Sequence, residues 1–97
     1  MQRWQEREAR KARLKLVEQF PLVFFPKGSL KRPLKIGIMV DLFGRAKRMS
    51  PAEIRWAVAD YCAGPSYRVG FIVGATRIDL DGHPAGFVTE EEAAHAQ

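Results

Sequence analysis

The stretch ATRIDLDGHPAGFV, residues 75–88, decides the β part of the fold. The residues on either side of Asp81-Gly82 within this stretch are rich in apolar and β-prone types. Asp81-Gly82 itself is typical of a turn between antiparallel strands. The pattern therefore predicts a β-hairpin with strands near 76–80 and 84–88. Residues 69–73 (VGFIV), just upstream, are also β-prone.

Signals for the start of a helix lie on both sides of this hairpin. Thr89 and Glu92 have the spacing of a capping box, which predicts a last helix from about residue 90. Ser50-Pro51-Ala52-Glu53 predicts the start of another helix, which Gly64-Pro65 ends. That helix carries one buried stripe at helical spacing: Ile54, Ala57, Val58 and Tyr61.

Two earlier segments are also predicted to be helical. Residues 3–20 contain no Gly or Pro and end at Pro21, with a charged N-terminal half that is expected to project or fray. Residues 34–47 form the second helix, with Gly37 in its first turn and Gly44 near its end. We expect its buried face to consist of Ile36, Met39, Val40 and Phe43. The predicted class is α+β, mostly helical with one small hairpin.

Length and composition restrict the architecture and the cell compartment. A chain of 97 residues with 46% hydrophobic side chains is expected to form one domain, 1–97, with a thin core. We expect no membrane span and no secretory signal, because no apolar stretch is long enough. A single cysteine, Cys62, allows neither an intrachain disulfide nor a four-ligand zinc site. These features favour a protein of the cytoplasm.

Charge is distributed unevenly along the chain. Residues 1–35 carry ten basic and three acidic side chains, and residues 78–97 carry five acidic and no basic ones. Such asymmetry is typical of a surface that binds a polyanion, with an acidic tail kept away from it. The alternative is that the basic residues only solvate a helix, and composition alone leaves both interpretations open.

Catalytic and metal chemistry find little support. His83 falls in the predicted turn and His95 near the C-terminus, and neither has an obvious partner nearby in sequence. Asp79-x-Asp81-Gly82 departs from a calcium-binding EF-hand loop, since its glycine falls at position 4 instead of 6. We therefore expect no enzyme, no cofactor and no metal.

Nucleic-acid binding has better support. Basic residues flank the start of the second helix, where free N–H groups favour anions and Gly37 would let a phosphate approach the backbone. Tyr61, Tyr67 and Phe71 are interleaved with arginines, although Tyr61 and Phe71 also suit a core. Tyr67 and Arg77 have no packing role that the sequence reveals. The candidate site residues are Lys31, Arg32, Lys35, Gly37, Arg55, Tyr61, Tyr67, Arg68 and Arg77.

Several unusual strings resemble the ProQ/FinO domain family. They are Phe20-Pro21, the run RPLKIGI at 32–38, GATRIDLDGHPAG at 74–86 and the ending VTEEEAAHA at 88–96. The similarity covers residues 14–96 in consistent order, which leaves 1–13 as a variable basic helical extension. Pro51 and Ala59 occupy positions where family members often carry Lys or Arg.

The resemblance implies a bacterial RNA chaperone of the cytoplasm, acting on small regulatory RNAs and mRNA 3′ ends. Such domains favour a terminator-like stem-loop with a single-stranded 3′ tail. Lys35 and Arg32 would belong to the basic surface, Tyr67 and Arg77 to a pocket for the 3′ end, and Arg55 to the adjoining helix. We expect a monomer and no membrane association. A DNA-binding regulator and a basic protein-interaction module remain alternatives.

Overall fold

The computed structural model describes residues 3–96, with side chains from residue 5 onward. Five helices and a two-stranded antiparallel sheet follow one another in the order αααα–ββ–α. The elements are α1 (Arg3–Gln19), α2 (Ile38–Arg45), α3 (Pro51–Ala63), α4 (Pro65–Gly70), β1 (Thr76–Ile78), β2 (Pro84–Phe87) and α5 (Glu90–His95). The predicted mostly helical α+β class is confirmed. Within the described part of the chain, no helix combines the length and apolar character that a membrane span needs.

Helix α3 forms as its capping signal predicts. The Glu53 N–H donates to the Ser50 hydroxyl, the Ser50 N–H donates to the Glu53 carboxylate, and both distances are 3.1 Å. The predicted stripe of α3 is buried, and Tyr61 lies fully buried at the centre of the core. Helix α5 begins with the same reciprocal pair, made by Thr89 and Glu92.

Helix α1 packs along α3 for most of its length. Leu16 and Phe20 are buried, as their spacing indicates, but Ala9 and Ala12 are buried as well. Arg13 also forms an ion pair with Asp60 of α3 at 3.1 Å. The expectation that the N-terminal half projects is therefore wrong from Ala9 onward, because small alanines let the two helices approach. The first two residues of segment 1–13 lie outside the described residues.

Helix α2 differs from its prediction in both start and buried face. The chain is extended at Leu34, which forms a parallel bridge with Ile78, and Gly37 is the N-cap at φ +87°. The helix therefore begins four residues later than predicted, and Gly37 precedes its first turn. Ile38 and Leu42 are buried instead of the expected stripe. The side chains of Ile36, Val40 and Phe43 are 67%, 71% and 44% exposed, and Met39 is partly buried.

The β-prone residues 69–73 form no strand, because residues 69–70 end a helix and residues 71–73 are irregular. Pro65 suits the first position of a helix, and α4 continues through Gly70. Both strands end earlier than predicted, at Ile78 and Phe87. The Asp79 carboxylate causes the early turn, because one of its oxygens accepts the N–H groups of Asp81 and His83 at 2.9 Å each.

Candidate nucleic-acid interface

The extended backbone of Leu34 is held on both sides by predicted site residues. The Leu34 N–H donates to the Tyr67 hydroxyl at 3.1 Å, and the Arg77 guanidinium donates to the Leu34 carbonyl at 2.7 Å. The bridge to Ile78 adds two backbone hydrogen bonds at the neighbouring residues. Leu34 directly precedes Lys35, so these contacts fix the chain that leads into α2.

The expectation that Tyr67 and Arg77 have no packing role is wrong. Tyr67 is 9% exposed and Arg77 6%, and each forms a buried hydrogen bond to the backbone of Leu34. Sequence patterns missed these roles because both partners are main-chain atoms, 33 and 43 residues away along the chain. Any role of these two side chains in binding therefore comes in addition to a structural one.

Three aromatic rings form a row beneath this segment. The ring centres of Tyr61 and Tyr67 are 6.0 Å apart, and those of Tyr67 and Phe71 are 5.8 Å apart. A cation covers each end of the row, with the Lys31 ammonium 4.9 Å from Tyr61 and the Arg77 guanidinium carbon 5.1 Å from Phe71. Burial raises the pKa of both tyrosines to about 12, so their hydroxyls stay neutral hydrogen-bonding groups at physiological pH.

Lys31 and Arg32 are adjacent in sequence but differ in exposure. The Lys31 side chain is buried and donates to the Ser66 hydroxyl at 2.8 Å. Burial, followed by the nearby positive charge of Arg13, lowers the pKa of Lys31. Arg32 is exposed and lines a cleft of about 480 Å³, which we call the basic cleft. The other walls of the basic cleft include Leu30, Pro33, Val69, Gly70 and Thr76.

The start of α2 carries two more candidates. No side chain caps this helix, because Gly37 has none. The N–H groups of Ile38, Val40 and Asp41 donate to backbone carbonyls, so the Met39 N–H and the helix dipole are left to attract an anion. Lys35 is half-exposed beside it, and its ammonium forms an ion pair with Asp41 at 2.7 Å. A phosphate that binds Lys35 would therefore compete with the Asp41 carboxylate.

Arg77 and Lys35 lie at one junction of the fold. Leu34 pairs with Ile78. Lys35 follows Leu34 and Arg77 precedes Ile78, so both residues adjoin this bridge. Lys31, Tyr61 and Tyr67 belong to the same neighbourhood through the row of rings.

Arg55 and Arg68 extend the candidate surface in other directions. Arg55 is exposed on α3, with its guanidinium carbon 5.9 Å from the centre of the Phe43 ring on α2. Arg68 is exposed on α4 and lines a cavity of about 290 Å³ together with Cys62, Tyr67, Phe71 and Ala96. Burial raises the pKa of the Cys62 thiol to about 11, so this thiol is protonated at neutral pH.

Glu92 is a further partner of Arg77 that the sequence did not indicate. Its carboxylate lies 3.2 Å from the Arg77 guanidinium, while its other contacts cap α5. The Thr89 N–H, followed by the Arg77 guanidinium, holds the pKa of Glu92 below its usual value. The Arg77 Nε is buried without a hydrogen-bond partner among the described residues. Glu92 thus neutralises Arg77 without satisfying all of its donors.

Three side chains of the hairpin turn are close enough together to be considered as metal ligands. One ligand atom each from Asp79, Asp81 and His83 lies within 4.8 Å of the others. These carboxylates already have partners, since Asp79 accepts two turn N–H groups and Asp81 receives two hydrogen bonds from Arg45. The Arg45 contact holds the pKa of Asp81 below its usual value. The contact between Asp81 and Arg45 therefore holds the hairpin turn against α2.

Comparison with known proteins identifies relatives of similar sequence. The chain is 42% identical over 85 residues to proteins named RNA chaperone ProQ from Aeromonas salmonicida and Aeromonas hydrophila. The match covers 84% of this chain and 40% of each relative, so the chain spans less than half the length of these relatives.

Solved structures share the fold. The FinO-like RNA chaperone NMB1681 from Neisseria meningitidis MC58 superimposes with a TM-score of 0.73 at 25% identity, covering 96% of this chain and 74% of that one. A ProQ homolog from Legionella pneumophila gives 0.75 at 33% identity, covering 91% and 76%. These names agree with the expectation of a protein that is not an enzyme. Since the sequence profile of the ProQ/FINO family also matches residues 7–97, the chain belongs to that family.

Proposed function

We propose that this chain is an RNA-binding domain with RNA chaperone activity. It would recognise the base of a terminator-like stem-loop and the single-stranded 3′ tail that follows. The observation that carries the proposal is that Tyr67 and Arg77 both hold the backbone of Leu34, which leads through Lys35 into the uncapped start of α2. The similar proteins named RNA chaperones support the same class of partner.

Exposed and buried cationic side chains would have different roles in RNA binding. Exposed Arg32, Arg55 and Arg68 form no ion pair within the described residues, so they are available to RNA phosphates. Buried Arg77 instead holds the segment before α2, where the Met39 N–H and the helix dipole would receive the 3′ end, and buried Lys31 supports the row of rings. A-form RNA hides its base edges in a deep major groove, so stem shape, phosphates and the unpaired end are the features left to recognise.

A competition titration tests the proposal. The ligands are a hairpin with a single-stranded 3′-hydroxyl tail, the same hairpin without the tail, the tailed hairpin with a 3′-phosphate, and a duplex DNA of equal charge. We expect the tailed 3′-hydroxyl hairpin to bind most tightly and DNA most weakly. Equal binding of the two 3′ ends would remove the terminus pocket from the proposal. Equal binding of DNA would favour a DNA-binding regulator instead.

The basic part of α1 would add affinity that does not depend on sequence. Arg7 and Arg10 are exposed there, whereas Ala9 and Ala12 are buried, so charge removal is a cleaner test than deletion of 1–13. We expect Arg7→Gln with Arg10→Gln to weaken binding at low salt and to reduce the salt slope by about one to two units. An unchanged slope would show that this segment does not contact RNA.

The proposal also includes the oligomeric state of the chain and its cellular compartment. The RNA-binding chain would act as a monomer in the cytoplasm, in post-transcriptional regulation, without a cofactor or metal. Sedimentation of the free protein tests the monomer. Nuclease-treated co-purification tests the protein-interaction alternative, because an acidic protein partner would survive the removal of RNA.

A further inference from the structure

Three large apolar side chains are exposed on α2 and just before it. They are Ile36, Val40 and Phe43, which the sequence pattern had assigned to the core and which are 67%, 71% and 44% exposed. Val40 and Phe43 are three residues apart on a helix, so their side chains are neighbours on its surface. We call these three residues the α2 strip.

Cations flank the α2 strip at both ends. Lys35 adjoins Ile36, and the Arg55 guanidinium lies 5.9 Å from the centre of the Phe43 ring. This distance is within the range of a cation–π contact. Arg55 has no ion-pair partner among residues 3–96, so one face of its planar group rests on Phe43 and its charge is not neutralised.

We propose that the α2 strip, with Arg55 on Phe43, is a stacking platform for an unpaired nucleobase of the bound RNA. Bases have flat apolar faces and are linked to phosphates, which matches apolar side chains between two cations. Unpaired bases stack on aromatic rings and on arginine guanidinium planes in many RNA complexes. This inference rests on the proposed function and adds to it a site for the base of a tail nucleotide.

Charge argues against a second copy of the chain as the occupant. In a two-fold contact centred on Val40, the strips of two molecules run in opposite directions. Arg55 of each molecule would then meet the Lys35–Asp41 pair of the other, so its charge would gain no carboxylate that is not already paired. A single-stranded RNA segment meets the same surface with favourable charge instead.

The test combines protein variants with a chemically altered RNA. The tailed hairpin is compared with one in which the tail nucleotides are abasic but keep every phosphate, using wild type, Phe43→Ala and Phe43→Leu. We expect the abasic tail to weaken wild-type binding about tenfold. Both variants should lose a similar factor on the intact tail and nothing further on the abasic tail, because leucine retains apolar volume without a flat ring.

The controls separate this proposal from others. Leu14→Ala on α1 removes another exposed apolar side chain and should leave both affinities unchanged. Thermal unfolding of each variant verifies that the fold persists. Phe43→Leu binding like wild type, or Phe43→Ala losing affinity equally on both tails, would overturn the platform. A wild type that prefers the hairpin over DNA keeps the proposed function even when the platform fails.

Discussion

The Tyr67 hydroxyl offers the sharpest test of how the site is built. Its oxygen accepts the buried N–H of Leu34, while its ring lies between those of Tyr61 and Phe71. Tyr67→Phe removes the oxygen and keeps the ring. The Leu34 N–H would then be buried without an acceptor, directly before the segment that leads into α2.

The size of the effect follows from that single lost acceptor. Leaving a buried donor unsatisfied costs about 1–3 kcal/mol. For a chain near this length, 1 kcal/mol shifts the unfolding midpoint by about 4–8 °C, so we expect Tyr67→Phe to unfold at least about 4 °C below wild type. Circular dichroism during heating measures the midpoint, and urea unfolding with an unchanged m-value verifies that the native state is equally compact.

Arg68→Ala is the matched control, because Arg68 is the exposed neighbour on the same helix. Its midpoint should stay close to that of wild type. A Tyr67→Phe protein that unfolds at the wild-type temperature would refute the structural role of the hydroxyl. If such a protein also lost RNA affinity, the hydroxyl would contact RNA and not the backbone of Leu34.

Further predictions concern charge and packing. Arg77→Ala should destabilise the fold by about 1–3 kcal/mol, because the buried Leu34 carbonyl loses its donor; wild-type urea unfolding of this variant would contradict that role. Thermal stability should fall as pH drops below about 4.5, since the folded-state pKa values of Glu53 and Glu92 are lowered and their stabilisation is lost on protonation; a midpoint that is flat from pH 6 to 3 would disprove it. Gly70→Ala should cost about 1–3 kcal/mol, because its Cβ would collide with the Lys31 carbonyl. The control Gly44→Ala has open space in a helix and should unfold no earlier than wild type, as differential scanning calorimetry would record.

Local sequence signals predict the elements whose structure depends only on residues nearby in the chain. The helix from Ser50 needs only a capping residue, a proline and an apolar stripe, and all three act within a few residues. The hairpin was predictable for the same reason, although the Asp79 side chain shortens its strands by forming the turn early. Sequence reasoning therefore placed these elements and missed some of their ends.

Long-range contacts decided what the sequence pattern left undetermined. Residues 34–47 have helical spacing, but the bridge between Leu34 and Ile78 holds the start of this segment extended. Gly37 then sets a new helix start, and the buried face moves to Ile38 and Leu42. The partners of Tyr67 and Arg77 are likewise main-chain atoms distant in sequence, which no local pattern reveals.

The burial of two predicted binding cations has a consequence for how binding should respond to salt. Arg77 is already paired with Glu92 and Lys31 is bonded to Ser66, so neither is free to neutralise an RNA phosphate and displace the counterion condensed on it. Their alanine variants should lower stability and affinity together and leave the salt slope near its wild-type value.

Exposed cations should behave in the opposite way. Arg32→Ala and Arg68→Ala are expected to keep the wild-type unfolding midpoint, to weaken RNA binding, and to reduce the salt slope by just under one unit each. Measuring affinity at several salt concentrations next to unfolding midpoints thus separates residues that shape the site from residues that touch RNA. An alanine variant of Lys31 or Arg77 with wild-type stability and a reduced salt slope would place the substituted side chain in direct contact with phosphate. For Arg77, that contact requires α5, which carries Glu92, to move away on binding.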